Sequence, residues 1–386
     1  VSVFLAIFFG TYGAMNAYLL WTLYRGLGGH LYRWIAPALF VMAMVMAPLA
    51  LRATERSWPL PAARTVHLIV WTWVALVFWG DCMAFLLDLY NGLVWCALHL
   101  RPTLRLSGCP YRVFPYILGG GWLLLLAWGL WEGNRVELRT VQFATAKLPP
   151  EAPALRLLQV SDLHLGMTVR HRRQQKVLDL VHEVQPDILV ATGDFIDGAG
   201  PHMDELMTAW QQVTPPLGKY AIIGNHEVYP GLERSIELLR MGGFHVLRGQ
   251  TVPIGTHWLL AGIDDPAVHY RGGKEPITER QLLPAPTPDR FVILLKHQPR
   301  VDENSLQTID LQLSGHTHGG QIFPFGLVVG LHYPYPYAQL LRLSDHMRLY
   351  VSRGAGLWGP PLRVLAPADV TLFVIGPAGN QPSPGN

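Results

Sequence analysis

No lysine occurs before Lys147 in this 386-residue chain. Up to Trp131 the charged residues are eight arginines (Arg25, Arg33, Arg52, Arg56, Arg64, Arg101, Arg105 and Arg112) and three carboxylates (Glu55, Asp81 and Asp88). A water-facing surface normally carries about 25–35% charged residues, so this stretch lacks the means to cover a soluble domain. Beyond Lys147 charge returns at ordinary density, and the two halves are therefore built for different solvents. Cysteine is equally scarce. Cys82 and Cys96 lie in apolar runs and Cys109 in a polar loop, which excludes a disulfide framework and any CxxC thiolate metal motif. The net charge of +3 and the lack of a basic stripe interleaved with aromatics in the second half argue against nucleic acid as a partner.

What the first half does contain is long apolar runs. Val1 to Leu23, Trp34 to Leu51, His67 to Leu87 and Pro115 to Trp131 each approach the ~20 residues needed to cross a bilayer. Trp21, Tyr24, Trp34, Trp128 and Trp131 stand near run ends, where interfacial aromatics belong. A cleaved signal peptide would account for the first run only. Asp81 interrupts the third, and a carboxylate there is expected to be packed and hydrogen-bonded, because an unpartnered one costs about 2.5–3.5 kcal/mol. Arginines occupy every connecting loop and recur at Arg135 and Arg139, so the positive-inside rule leaves the orientation open. The partner of this half is a lipid bilayer, reached through four spans. The expected division is a transmembrane helical region over residues 1–131 and a catalytic domain over 132–386.

The second half changes pattern. Val136 to Ala144 alternates like a strand, Leu155 to Val160 leads into SDLHLG, and Arg173 to Val184 reads as an amphipathic helix. Asp187 to Ala191 ends in TGD, Lys219 to Ile223 precedes GNHE, and Leu232 to Met241 is helical. Phe244 to Leu247 and Trp258 to Ile263 read as strands, Arg290 to Leu295 leads to KHQP, and Ile309 to Leu313 leads to SGHTHGGQ. The polar motifs thus sit where apolar runs stop, which is where loops converge on one edge of a sheet.

Those motifs carry metal-ligand chemistry. Asp162 and His164 alternate in DLH, and if extended they leave one face as a mixed oxygen and nitrogen site suited to Mn, Fe or Zn. His316 and His318 are spaced likewise. Asp194 follows Gly193 on a tight turn and could bridge two ions; Asn225 offers an amide oxygen, and His297 adds an imidazole. His226 could stay off the metals, with Glu227 either orienting it or solvated at the surface.

Taken in this order, SDLHLG, TGDFID, GNHE, KHQP and SGHTHGGQ resemble the calcineurin-like metallophosphoesterase family from about Leu155 onward. The tail from Leu349 to Ile375 is similar to the membrane-linked bacterial branch of that family. The resemblance implies an α/β fold, with a two-sheet sandwich flanked by helices following the four-helix transmembrane region. It implies two divalent metal ions, one held by Asp162, His164, Asp194 and His318 and the other by Asp194, Asn225, His297 and His316. It also implies that His226 is catalytic, stabilising the transition state or protonating the leaving group.

The expected substrate contains phosphate and is linked to a lipid, as the fusion to membrane spans suggests. His171, Arg172 and Arg173 could cradle a phosphate, and YPYPY (Tyr333 to Tyr337) with LWGPP (Leu357 to Pro361) could form an apolar lip. A UDP-2,3-diacylglucosamine pyrophosphatase, a phospholipid or undecaprenyl phosphate hydrolase, and a non-catalytic membrane ligand sensor on the same fold stay open at this point.

Overall fold

The computed structural model describes residues 2–27, 32–57, 59–200, 202–270 and 277–378. The chain falls into two compact units, Val1–Gly129 and Leu130–Asn386.

The first unit is helical: α1 (Ser2–Gly26), α2 (Tyr32–Ser57), α3 (Leu60–Leu100) and α4 (Phe114–Gly133), whose last turn belongs to the second unit. Pro59 fixes the start of α3, and Pro102 follows its end, where a residue without a backbone N–H adds no rung to the ladder. At 41 residues α3 runs about 60 Å, well past the 21-residue apolar run read from the sequence, because no breaker interrupts it. Among the described residues two helical stretches, Leu60–Leu100 and Tyr111–Gly133, are long and apolar enough to cross a membrane, and Pro37–Leu51 is a shorter apolar one. The expectation of four spans is thus supported for two. Val1 and the side chains of Arg33, Arg52 and Arg56 lie outside the described residues.

Charge inside this unit is mostly matched. Asp88 accepts from Tyr18 Oη at 2.9 Å, from Arg25 at 3.1 Å and from Tyr111 Oη. Asp81 departs from expectation, for neither of its buried carboxylate oxygens has a hydrogen-bond partner among the described residues.

The second unit is a mixed α/β structure with two six-stranded sheets. The first has the order β1-β12-β2-β3-β4-β5, built from β1 (Val136–Thr145), β12 (Ala368–Pro377), β2 (Leu155–Val160), β3 (Ile188–Ala191), β4 (Lys219–Ala221) and β5 (His245–Val246). The second has the order β10-β11-β9-β8-β7-β6, built from β10 (Leu340–Arg342), β11 (Arg348–Val351), β9 (Leu311–Ser314), β8 (Phe291–Leu295), β7 (Trp258–Gly262) and β6 (Gln250–Ile254). Helices α5 (His171–Val184), α6 (His202–Gln211) and α8 (Leu232–Met241) join strands of the first sheet; α7 (Asn225–Val228), α9 (Ala267–Tyr270) and α10 (Glu279–Leu282) are single turns, and α11 (Phe325–His332) follows β9.

The period-two rule of extended chain explains the layers. Leu157, Val190, Leu260, Ile293 and Phe373 face one shared core between the sheets. Their neighbours Leu158 and Leu189 face the other side of the first sheet, where Val177, Leu206, Trp210 and Leu239 of the helices cover them. Leu259, Val292 and Leu294 back the second sheet. Strands buried on both faces read as unbroken apolar runs, which is why they were visible in the sequence.

Strands β2, β3, β4 and β5 are parallel to one another, as are β7, β8, β9 and β11. Parallel strands put their carboxyl ends on one edge, and there Val160, Ala191, Ala221, Leu295 and Ser314 give way to the polar motifs.

Candidate metal centre

The local backbone at these strand ends is not extended. Asp162, His164, Asp194, His316 and His318 all have φ between 50° and 70°. Only nine non-glycine residues among those described adopt positive φ, and five of them are these. Such conformations cost about 1–3 kcal/mol each and persist where surrounding structure over-determines them. The expectation that DLH and HTH act as short strands is therefore corrected: His318 begins a one-turn 3-10 helix, His318–Gly320, and left-handed turns rather than pleat alternation aim the side chains.

Glycines allow the loops to meet. A Cβ on Gly224 would collide with the Asp194 carboxylate and backbone nitrogen, and one on Gly315 would collide with Ser161 and Asp162. Two motif glycines thus stand where another motif's backbone or carboxylate comes closest.

The side chains converge. Donor atoms of Asp162, His164 and His318 lie within 4.8 Å of one another, as do those of His164, Asp194 and His226, and those of Asp194, His297 and His316. His164 Nε2 is 2.9 Å from His318 Nε2, which is 3.6 Å from Asp162 Oδ1. His297 Nε2 is 3.1 Å from Asp194 Oδ2, 3.2 Å from Asn225 Oδ1 and 3.1 Å from His316 Nδ1. Asp194 Oδ2 also stands 3.8 Å from His164 Nε2, so this carboxylate lies between the two sets. Every residue singled out from the sequence as a ligand or catalytic group comes into this one cluster.

Whether the cluster suits cations can be decided from His297. Its Nδ1 lies 2.9 Å from the Thr192 carbonyl, which only accepts, so Nδ1 donates there and Nε2 is turned into the cluster. Nε2 faces the acceptors Asp194 Oδ2 and Asn225 Oδ1, which call for positive charge among them: against the effect of burial, Asp194 raises the His297 imidazole well above its usual range, and a divalent cation would fill the same need. Mixed carboxylate, amide and imidazole donors suit Mn, Fe or Zn. The residues present fit divalent cations.

Electrostatics follow from burial and crowding. Burial raises the Asp162 carboxyl, whereas for Asp194 the same effect is outweighed by His297, His226 and His164, which hold it well below the usual carboxylate range. Burial and the adjacent His297 lower His316 to about 3. Burial would also lower His226, but Asp194, Asp197 and Glu227 reverse this and raise it to about 9.

Several residues were not legible as site residues in the sequence. Asp197, the second acid of TGDFID, lies 2.8 Å from His226 Nδ1 and 3.6 Å from His164 Nδ1. The signal available was only its place on the same loop as Asp194. Glu227 is fully buried and accepts from the backbone N–H groups of Asp194 at 2.9 Å, Phe195 at 2.6 Å, Ile196 at 2.9 Å and Gly224 at 2.8 Å. It neither orients the His226 ring nor sits at the surface; it fixes the turn that carries Asp194. Arg363 is buried completely, and its guanidinium donates to the carbonyls of Ala366 at 2.7 Å, Arg353 at 2.9 Å, Gly354 at 3.1 Å, Gly356 at 2.9 Å and His318 at 3.3 Å while lying 3.2 Å from His318 Nδ1.

The basic cluster after the first motif is corrected as well. Arg173 is buried and donates to Ala355 O at 2.7 Å, Arg135 O at 3.2 Å and Gly133 O, while His171 is paired with Glu205 at 3.7 Å. Arg173 is committed to backbone carbonyls and does not reach a phosphate. The two aromatic segments do border the centre. The Tyr333 ring lies 5.3 Å from His316, and Trp358 lies 6.4 Å from His318 and 6.5 Å from His226.

A family model described as calcineurin-like phosphoesterase matches residues 155–320. The chain is 39% identical over 246 residues to an "uncharacterized metallophosphoesterase" of Aquifex aeolicus, covering 64% of this chain and 93% of that one. It is 34% identical to a "transmembrane protein with metallophosphoesterase domain" of Danio rerio, covering 61% of this chain but 56% of the relative. A solved 5'-nucleotidase precursor from Thermus thermophilus is 13% identical, with a TM-score of 0.34, and covers 57% of this chain and 55% of that one.

Proposed function

Since the chain belongs to the calcineurin-like metallophosphoesterase family, we propose that it is a membrane-anchored, binuclear metal-dependent hydrolase of a phosphodiester or pyrophosphate bond in a lipid-linked substrate. The observation that carries the reading is the position of Asp194 between the His164 and His297 sets, with His226 beside it.

Asp162, His164, Asp194 and His318 would hold one ion, and Asp194, Asn225, His297 and His316 the other. Bound there, divalent ions would supply Lewis-acid polarisation of a phosphoryl oxygen and a water of lowered pKa as the attacking group.

The chain's own residues do the rest. Asp197 fixes the His226 proton on Nδ1 and orients the ring, which leaves Nε2 to meet the leaving oxygen. The Asp197 carboxylate against Nδ1 favours the protonated ring, the form that an acid in this role requires. Asp194 Oδ1 accepts from the His226 backbone N–H at 2.8 Å, so the carboxylate also fixes where that histidine begins. His297 is held by the Thr192 carbonyl, the kind of outer hydrogen bond that orients a ligating imidazole.

Attachment to a bilayer is supported by the two helical stretches, Leu60–Leu100 and Tyr111–Gly133, that are long and apolar enough to cross one and by a relative that bears "transmembrane" in its name. A substrate presented by the same bilayer follows as the simplest reason for joining such a region to a hydrolase.

The test is to purify the full chain in detergent, measure bound metal, and compare hydrolysis of bis(p-nitrophenyl) phosphate with p-nitrophenyl phosphate in added Mn. Diester cleavage that depends on metal supports the reading. A metal-loaded protein that cleaves neither ester nor any prenyl-linked or nucleotide-linked lipid in a panel would sink it.

A further inference from the structure

We propose that α11 and the aromatic segment after it form a membrane-contacting tip that seats the metal centre against the leaflet of an anionic bilayer. This inference rests on the reading that the protein works at a membrane.

From Gly319 to Leu341 the sequence contains no Asp, Glu, Lys or Arg. Helix α11, FGLVVGLH, lies inside that stretch, and not one of its residues is buried. Leu331 is 88% exposed, Leu327 68% and Val328 55%. Contrast α5 and α8, which present one apolar face to the core and keep the other polar. A helix that is apolar all round needs an apolar surrounding on every side, and water does not supply one.

The tip is joined to the centre without slack. It begins a few residues after His318, and a Cβ on Gly320 would collide with the backbone of Gly326, so the first turn of α11 lies directly on the turn that carries His318. Tyr337 packs on Gly319 from the far end of the segment. Tyr333 places its ring against His316 and donates to Gln298 Oε1 at 3.1 Å, while Gln298 donates to Asp265 Oδ2 at 2.8 Å. Whatever holds α11 therefore also positions two of the histidines.

Charge identifies the occupant. At the carboxyl end of α11 the exposed Arg300 lies 2.9 Å from His332 Nε2 and 5.8 Å from the Tyr333 ring. A cation and tyrosines at the base of an apolar tip match anionic headgroups above acyl chains. A protein groove would give Leu331 a partner but would leave this headgroup-like rim without purpose.

The experiment uses the full chain with Cys82, Cys96 and Cys109 replaced by serine, reconstituted in phosphatidylcholine and phosphatidylglycerol vesicles. A nitroxide is attached at Leu331→Cys, at Leu327→Cys as a second reading, and at Asp345→Cys as an aqueous control, since the Asp345 side chain is 90% exposed. Power saturation is read with oxygen, which concentrates in the bilayer, and with a nickel chelate, which stays in water. The expected result is oxygen exceeding nickel at both leucines, the reverse at the control, and a smaller oxygen excess at the leucines when phosphatidylglycerol is omitted. Leucine probes as open to nickel as the control would overturn the inference, as would spin-spin broadening that shows a second copy on this face. Neither reading depends on turnover, so an immersed tip in a protein that hydrolyses nothing would count against the enzymatic reading alone.

Discussion

The Asp197 carboxylate lies 2.8 Å from His226 Nδ1, although 29 residues separate the two in the chain. One comes from the loop after β3 and the other from the single turn α7, and β3 and β4 are hydrogen-bonded neighbours in the first sheet. Under the proposed mechanism the pairing would make the histidine an oriented proton carrier rather than a ligand.

Replacing His226 by alanine is expected to leave metal content unchanged and lower kcat by about 10²–10⁴-fold, the usual contribution of a positioned acid. Asp197→Asn should preserve metal and lower kcat by about 10–100-fold, as loss of an orienting partner does. Elemental analysis and steady-state kinetics on the same preparations decide the matter; an active His226→Ala protein would show the role is misassigned.

Asp194 lies between both sets of donors, so Asp194→Ala should reduce bound metal at both positions and remove turnover together. His164→Ala touches only one set and should leave the other able to bind. Metal stoichiometry by mass spectrometry separates the two. Equal losses from the two variants would contradict the shared position of Asp194.

Glu227→Gln puts an amide where four backbone N–H donors converge. One oxygen cannot accept all of them, and the introduced NH₂ opposes at least one, at a cost of about 1–3 kcal/mol. The thermal midpoint of the second unit should fall by several degrees, with metal affinity falling alongside because the same turn carries Asp194. An unchanged midpoint would show that this carboxylate is dispensable.

Arg363→Met should be more severe, because five carbonyl groups lose a buried cationic donor, a change of about 3–5 kcal/mol. For a unit of this size that corresponds to a fall of roughly 10 °C in Tm. Arg363→Lys keeps the charge but offers three donors instead of five and should fall between the two. Differential scanning of the three proteins orders them; a Lys variant no better than Met would mean that geometry alone matters.

Much of the chemistry was legible before any coordinates. The paucity of charge before Lys147 set the two halves apart in composition, and apolar runs ending in glycine-flanked histidines and acids marked the strand ends. Strands β6, β10, β11 and β12 and helices α6 and α11 were not read as elements; β6 and β10 are short edge strands with a weak periodic signal, and the tail that holds β11 and β12 was read for its resemblance and not for its period. The extended reading of DLH failed for a related reason: alternation in sequence looks the same whether the backbone is pleated or turned left-handed.

The sequence by itself determined which donor atoms are available and that each stands where a buried strand must stop, since residue type and apolar periodicity are local properties. Only the tertiary structure decided that Asp194 lies between two sets of donors, that Asp197 meets His226, that Glu227 and Arg363 are structural, and that no residue of α11 is buried among the described residues. Those relationships depend on the register of neighbouring strands and on which loops share an edge, and no stretch of chain encodes the position of a partner it meets only after the sheets have formed.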